Sequence, residues 1–105
     1  MANKNEIDAA IDKLFADAIP LLNALGDSNR QLILRNLRSD VGTSVNDLTL
    51  MMPLSRPAVS HHLKILFDLG LLRVEKQGTT RLYFVDTKKA LGPIKALIAA
   101  IDSAS

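Results

Sequence analysis

A chain of 105 residues with no cysteine, 48% hydrophobic and only 4% aromatic residues is sized for a single domain over 1–105. It excludes disulfides, thiolate nucleophiles and sulfur-rich zinc sites, and needs a core of Leu, Ile, Val and Ala. No run reaches the ~18 apolar residues of a membrane span, and the acid-containing N-terminus does not read as a signal peptide, so a cytoplasmic location is expected. Residues 1–50 carry five Lys/Arg against seven Asp/Glu, whereas residues 51–105 carry eight against four; the C-terminal half thus holds the positive charge that a phosphate backbone attracts.

From Glu6 to Leu25, apolar residues Ile7, Ala10, Ile11, Leu14, Phe15, Ala18, Leu21, Leu22 and Leu25 recur at three- and four-residue steps. This spacing predicts an amphipathic helix, kinked or divided at Pro20. Gly-Asp-Ser-Asn at 26–29 breaks the pattern, with Gly26 as the residue just past the helix end. Asp27 or Ser28 then caps a second helix that turns Leu32, Ile33 and Leu37 inward and ends near Ser39. Ser44, with Asp47 three residues on, opens a short third helix over 44–52 that places Val45, Leu48 and Met51 or Met52 on one face. Pro53 stops it, and only Leu54 then precedes Ser55, the expected N-cap of a fourth helix over about 56–69. Two short helices joined by so tight a turn make a helix-turn-helix candidate.

After Gly70 the period changes to two. Leu72 and Val74 alternate with Arg73 and Glu75, and Leu82 and Phe84 alternate with Arg81 and Tyr83, predicting a β-hairpin over about 71–86 with its turn around Gln77–Thr80. An isolated hairpin is marginal in water, so its apolar face must lie on the helices. Lys88 to Asp102 is helical again, with Gly92-Pro93 best read as a helix start at Pro93, and it is apolar on more than one face. One flank would pack on its own domain and the other on a second subunit, against the first helix. Ile7, Ile11, Leu14, Ile94, Leu97, Ile98 and Ile101 are therefore the candidate dimer interface.

At ~100° per residue, Val59, Leu63 and Leu66 form one stripe of the fourth helix that anchors it to the domain. Pro57, Ser60, His61 and Lys64 point away, with Ser55 and Arg56 at the exposed start. Arg bonds a guanine edge bidentately, Ser and His take bases or phosphates, and Lys suits phosphate, so this face matches a major groove better than a catalytic cleft. The hairpin adds Arg73, Lys76 and Arg81 around a tip that includes Gln77, Thr79 and Thr80, a basic wing for the sugar-phosphate backbone or minor groove. These twelve residues are the candidate contacts to double-stranded DNA. An enzyme would need nucleophile, base and orienter in one pocket, for which no pattern exists. A protein-docking module would place large apolar residues where this donor-rich set stands. His61 and His62, ~100° apart and without a carboxylate at i±3 or i±4, are not one metal site: His61 points outward, and His62 is expected to hydrogen-bond a neighbouring element.

The segments LLNALGDSNRQLILRNL, SVNDL, LSRPAVSHHLKILFDLGLL and RVEKQGTTRLYF resemble, in order and over residues 14–86, the ArsR-type (arsenic-repressor) regulators. The resemblance implies a mainly α, winged helix-turn-helix fold of about five helices plus a two-stranded antiparallel hairpin. It implies a homodimeric bacterial repressor on an imperfect palindrome, with the 56–69 helix in the major groove, residues 76–81 as wing tip, and the first and last helices pairing subunits. S-V-N-D-L stands where metal-sensing relatives carry C-V-C-D-L, and Ser44 and Asn46 cannot replace thiolates. At the second metal position of the family, Asp86 is followed by Lys88, with Ala99 and Asp102 about where further ligands would lie; a single carboxylate beside an ammonium does not hold a divalent ion. No metal and no cofactor is expected. Release by an unidentified small molecule or partner protein ranks ahead of control by concentration alone, and ahead of a non-standard metal site.

Overall fold

The computed structural model describes residues 3–37 and 40–104. Helix α1 (Lys4–Leu25) starts at a capping box, in which the Asn3 side chain accepts from the Glu6 backbone N–H at 2.9 Å and Glu6 accepts from the Asn3 N–H. The helix is not divided at Pro20, as the sequence allowed, but continues through it over 22 residues. Pro20 and Ala16 both lie on the exposed face, so the carbonyl left unpaired by the proline meets water instead of the core. Gly26 also differs from expectation. It is the C-cap itself, with a right-handed φ of −77°, and its N–H donates to the Leu22 carbonyl at 2.9 Å.

Asp27 caps α2 (Ser28–Asn36), accepting from the Arg30 N–H at 3.0 Å. The helix ends at Asn36, earlier than the expected end near Ser39, because Leu37, its buried C-cap, already has an extended backbone and joins the core; Arg38 and Ser39 lie outside the described residues. Ser44 caps α3 (Val45–Met51), which points Leu48 inward and leaves Met51 exposed, while Met52, just past the helix, is the buried methionine. Ser55 caps α4 (Arg56–Asp68), with Pro57 in its first turn. Its stripe of Val59, Leu63 and Leu66 is buried to 1% exposure or less and meets Ile33, Leu37, Leu48 and Met52. Each such side chain stabilises the fold by about 1.5–3 kcal/mol relative to its exposed state.

The end of α4 is closed by Gly70 at φ +79°. The Gly70 N–H donates to the Phe67 carbonyl at 2.9 Å and the Leu71 N–H to the Leu66 carbonyl at 3.0 Å, the two bonds of a Schellman motif that needs a left-handed residue at this point. The chain turns at once into β1 (Leu72–Gln77) and β2 (Thr80–Val85), an antiparallel pair joined by Gly78 and Thr79.

The register changes the expected face. Leu72 pairs with Val85 and Val74 with Tyr83, whereas Leu82 pairs with Glu75 and Phe84 with Arg73. The apolar residues of the two strands are therefore not on one side: a two-residue loop sets Leu82 and Phe84 on the face opposite Leu72 and Val74. Leu72 joins the helical core. Phe84 is buried on the other face, beneath the loop at 42–43, where Gly42 has φ +73° and Thr43 exchanges both backbone hydrogen bonds with Tyr83 at 2.9–3.0 Å.

Lys88–Leu91 form a turn, and α5 (Gly92–Ala104) starts one residue before the expected Pro93. α5 packs along α1, burying Leu97 to 4% exposure; a residue assigned above to a subunit interface is thus core within one chain. Ile98 and Ile101 face out at 60% and 50%.

Candidate nucleic-acid interface

The α4 helix and the hairpin diverge from their junction at Gly70, and the angle between them is closed at one end by the start of α3. A groove of about 930 Å³ results, lined by the polar residues Asn46, Arg56, Ser60, Lys64, Thr80 and Arg81 and by the apolar or aromatic Val45, Leu63, Phe67, Val74 and Tyr83. Of the twelve predicted DNA contacts, six line this groove: Arg56, Ser60, Lys64, Thr79, Thr80 and Arg81.

The other six lie around it or elsewhere. Ser55 and Pro57 are exposed at the start of α4, where the Ser55 hydroxyl is engaged as N-cap, accepting from the Ala58 N–H at 3.3 Å. His61 is exposed on the neighbouring flank of α4. Lys76 and Gln77 are exposed near the hairpin tip. Arg73 does not cluster with Lys76 and Arg81: the register puts it on the opposite face, paired with Glu75 and lying 4.2 Å over the Phe84 ring. Lys76 and Arg81 face each other directly across the strands. Two like charges so placed disfavour the hairpin by themselves, an arrangement that an anion between them would reverse.

The cations differ in what holds them. Lys64 pairs with Asp68 at 2.9 Å, one turn along an exposed helix face, a bond worth about 0.3–0.5 kcal/mol and readily exchanged for phosphate. Arg56 donates from Nε to the Asn46 carboxamide oxygen at 2.8 Å. In the sequence Asn46 stands out only as a residue that cannot replace a thiolate, and nothing in a one-dimensional pattern links positions 46 and 56 across a turn.

The two histidines separate as expected. His62 is half-buried and its Nδ1 accepts from the Arg30 Nε at 3.3 Å. A guanidinium only donates, so Nδ1 accepts, and the bond ties α4 to α2. Arg30 in turn lies 3.8 Å from Asp27. The Asp27 carboxyl is held below its ordinary range, first by the backbone N–H of Arg30 and further by the charge of Arg30, against an opposing effect of burial. Among the described residues, no group of three or more His, Cys, Asp or Glu is close enough together to hold a metal ion.

A capped two-helix unit, a second helix with a donor-rich outer face and a basic hairpin against it form one surface. Residues 27–74, from the cap of α2 into β1, match the family described as "Bacterial regulatory protein, arsR family". The chain is 33% identical over 84 residues to the HTH-type transcriptional regulator YgaV of Escherichia coli, covering 80% of this chain and 81% of that protein. It is 32% identical over 78 residues to the arsenical resistance operon repressor of Bacillus subtilis, covering 74% of each.

The chain belongs to the arsR family. An ArsR-like transcriptional regulator from Rhodococcus sp. RHA1 superposes with a TM-score of 0.74 at 27% identity, covering 86% of this chain and 81% of that one. This arsR-family protein is a winged helix-turn-helix, DNA-binding transcriptional regulator and not an enzyme. No helix among its described residues is long and apolar enough to cross a membrane.

Proposed function

We propose that this arsR-family regulator is a cytoplasmic, homodimeric repressor, one domain per chain, that binds an imperfect palindrome in the promoter it controls. The observation that carries this reading is the shared groove, in which Arg56, Ser60 and Lys64 of α4 stand against Thr80 and Arg81 of the hairpin. In this reading α4 enters the major groove, where Arg56 bonds a base edge and Ser60 and His61 take bases or phosphates. Lys64, Lys76 and Arg81 bind backbone phosphates, with Gln77, Thr79 and Thr80 alongside at the wing tip. Repression follows from the promoter being covered. A small molecule or partner protein releases the DNA.

Homodimerisation is supported by the surface left open on one chain. Ile7, Phe15, Ile19 and Leu22 of α1 and Ile98 and Ile101 of α5 are all at least 40% exposed, large apolar side chains that a second subunit would remove from water.

The test is quantitative binding to the DNA upstream of its own gene at several salt concentrations. Counterion release makes the logarithm of the affinity fall linearly with the logarithm of salt, with a slope of about −0.9 per phosphate neutralised. Purified protein that shows no salt-dependent binding to that DNA would refute the reading.

A further inference from the structure

The contact between Asn46 and Arg56 carries a consequence for specificity. Arg56 is the first residue of α4 and Asn46 the second of α3, so the bond from Arg56 Nε to Asn46 Oδ1 at 2.8 Å spans the two helices of the helix-turn-helix on the groove side. A guanidinium has five N–H donors in a rigid plane. With Nε–H spent on Asn46, the four donors on the two terminal nitrogens remain, and their shared edge is the one that meets an acceptor pair end-on. Arg56 is exposed and has no acidic partner among its described contacts. Without the carboxamide its long side chain would sample many rotamers and lose them only on DNA.

Asn46 suits this role because it is neutral. A carboxylate there would hold Arg56 more strongly but would repel phosphate and compete with the base for the cation. The carboxamide fixes the plane and leaves the charge whole.

We infer that Asn46 is a positioning residue for base recognition: its carboxamide pre-orients the Arg56 guanidinium so that the terminal-nitrogen edge is presented to an acceptor pair on a base, without Asn46 itself bonding DNA. The proposal rests on the reading of Arg56 as a base-contacting residue. Its cause lies in the DNA-free protein, so part of its test needs no DNA.

In the free protein, the Arg56 Nε–H resonance is expected to be sharp and slowly exchanging, and to become fast-exchanging in Asn46→Ala while the thermal midpoint stays within a degree or two of wild type. The binding arm uses a duplex selected by the protein from a random-sequence pool, with a shuffled duplex as control. Asn46→Ala should weaken the selected duplex by roughly three- to tenfold, the ordering cost of one long side chain, and leave the shuffled duplex unchanged. In an Arg56→Ala background the same substitution should have no further effect. Additive losses would mean that Asn46 touches DNA directly, and an Nε–H signal unmoved by Asn46→Ala would mean that nothing is held; either overturns the proposal while sparing the DNA-binding reading. Wild-type affinity in Arg56→Ala would instead remove the base contact and the proposal with it.

Discussion

Arg56 and Lys64 stand two turns apart on the exposed side of α4, and their different partners predict different defects. Held in one orientation by Asn46, Arg56 suits a base edge: Arg56→Ala should cost about 1–3 kcal/mol on a selected duplex and flatten discrimination at one base pair. Lys64, loosely paired with Asp68, suits phosphate. Lys64→Ala should weaken all sequences alike and reduce the salt slope by about one. Titrations against single-base variants at two salt concentrations separate these outcomes, and identical behaviour of the two variants would contradict the division of roles. A third residue, Asp27, bears on folding. Its carboxyl is held low in the folded state, chiefly by the Arg30 N–H, so its charge stabilises the fold above about pH 4 and loses that effect as pH falls through the lowered value. Asp27→Asn keeps a capping oxygen but not the charge. Wild type should therefore exceed Asp27→Asn in urea midpoint at pH 7, with the gap closing below pH 4; a gap that grows on acidification would reverse the sign.

At the scale of elements, the helices were legible and the hairpin only half so. Helix periodicity, caps at Asp27, Ser44 and Ser55 and the left-handed Gly70 are local chemistry, and α2, α3 and α4 begin where those residues place them. The hairpin's existence is equally local, but which apolar residues share a face depends on register, which the two-residue loop decides. Phe84 thereby faces a loop that has no sequence signal of its own. At Gly42, an added Cβ would lie 2.6 Å from the Phe84 ring at a φ of +73°. Gly42→Ala should destabilise the protein by about 2–4 kcal/mol, the cost of a left-handed residue plus overpacking. Gly92, with nothing within 4 Å of an added Cβ, serves as control: Gly92→Ala should shift stability by less than about 1 kcal/mol. Urea unfolding compares the two, and equal midpoints would show that the 42–43 loop does not seat on Phe84.

For the whole molecule, the dimensions are telling. The chain extends 56 × 24 × 19 Å with a radius of gyration of 17.0 Å, where a compact chain of this length would have about 13 Å. Much of the length is α1, whose 22 residues span roughly 33 Å and pack chiefly on α5 and, less, on α2. A helix so long and so open on its apolar side fits a second subunit. Leu97 cannot report on that interface, since its loss would damage the chain's own core. Ile98→Glu and Ile101→Glu should give folded monomers by sedimentation velocity, with native circular dichroism and weakened binding to a palindromic duplex. Dimers that survive both changes would move the interface off α5.

The sequence by itself determined the helix-turn-helix, the hairpin and the donor-rich outer face of α4, because periodicity, caps and turn residues act over a few positions and need no tertiary partner. It also separated His61 from His62 by helical angle alone. Tertiary structure decided which side of the hairpin each cation occupies, sent Leu97 inward, and joined Asn46 to Arg56 and Arg30 to His62. Those outcomes depend on strand register and on the distance between elements, and neither quantity is written in the spacing of residues along one chain.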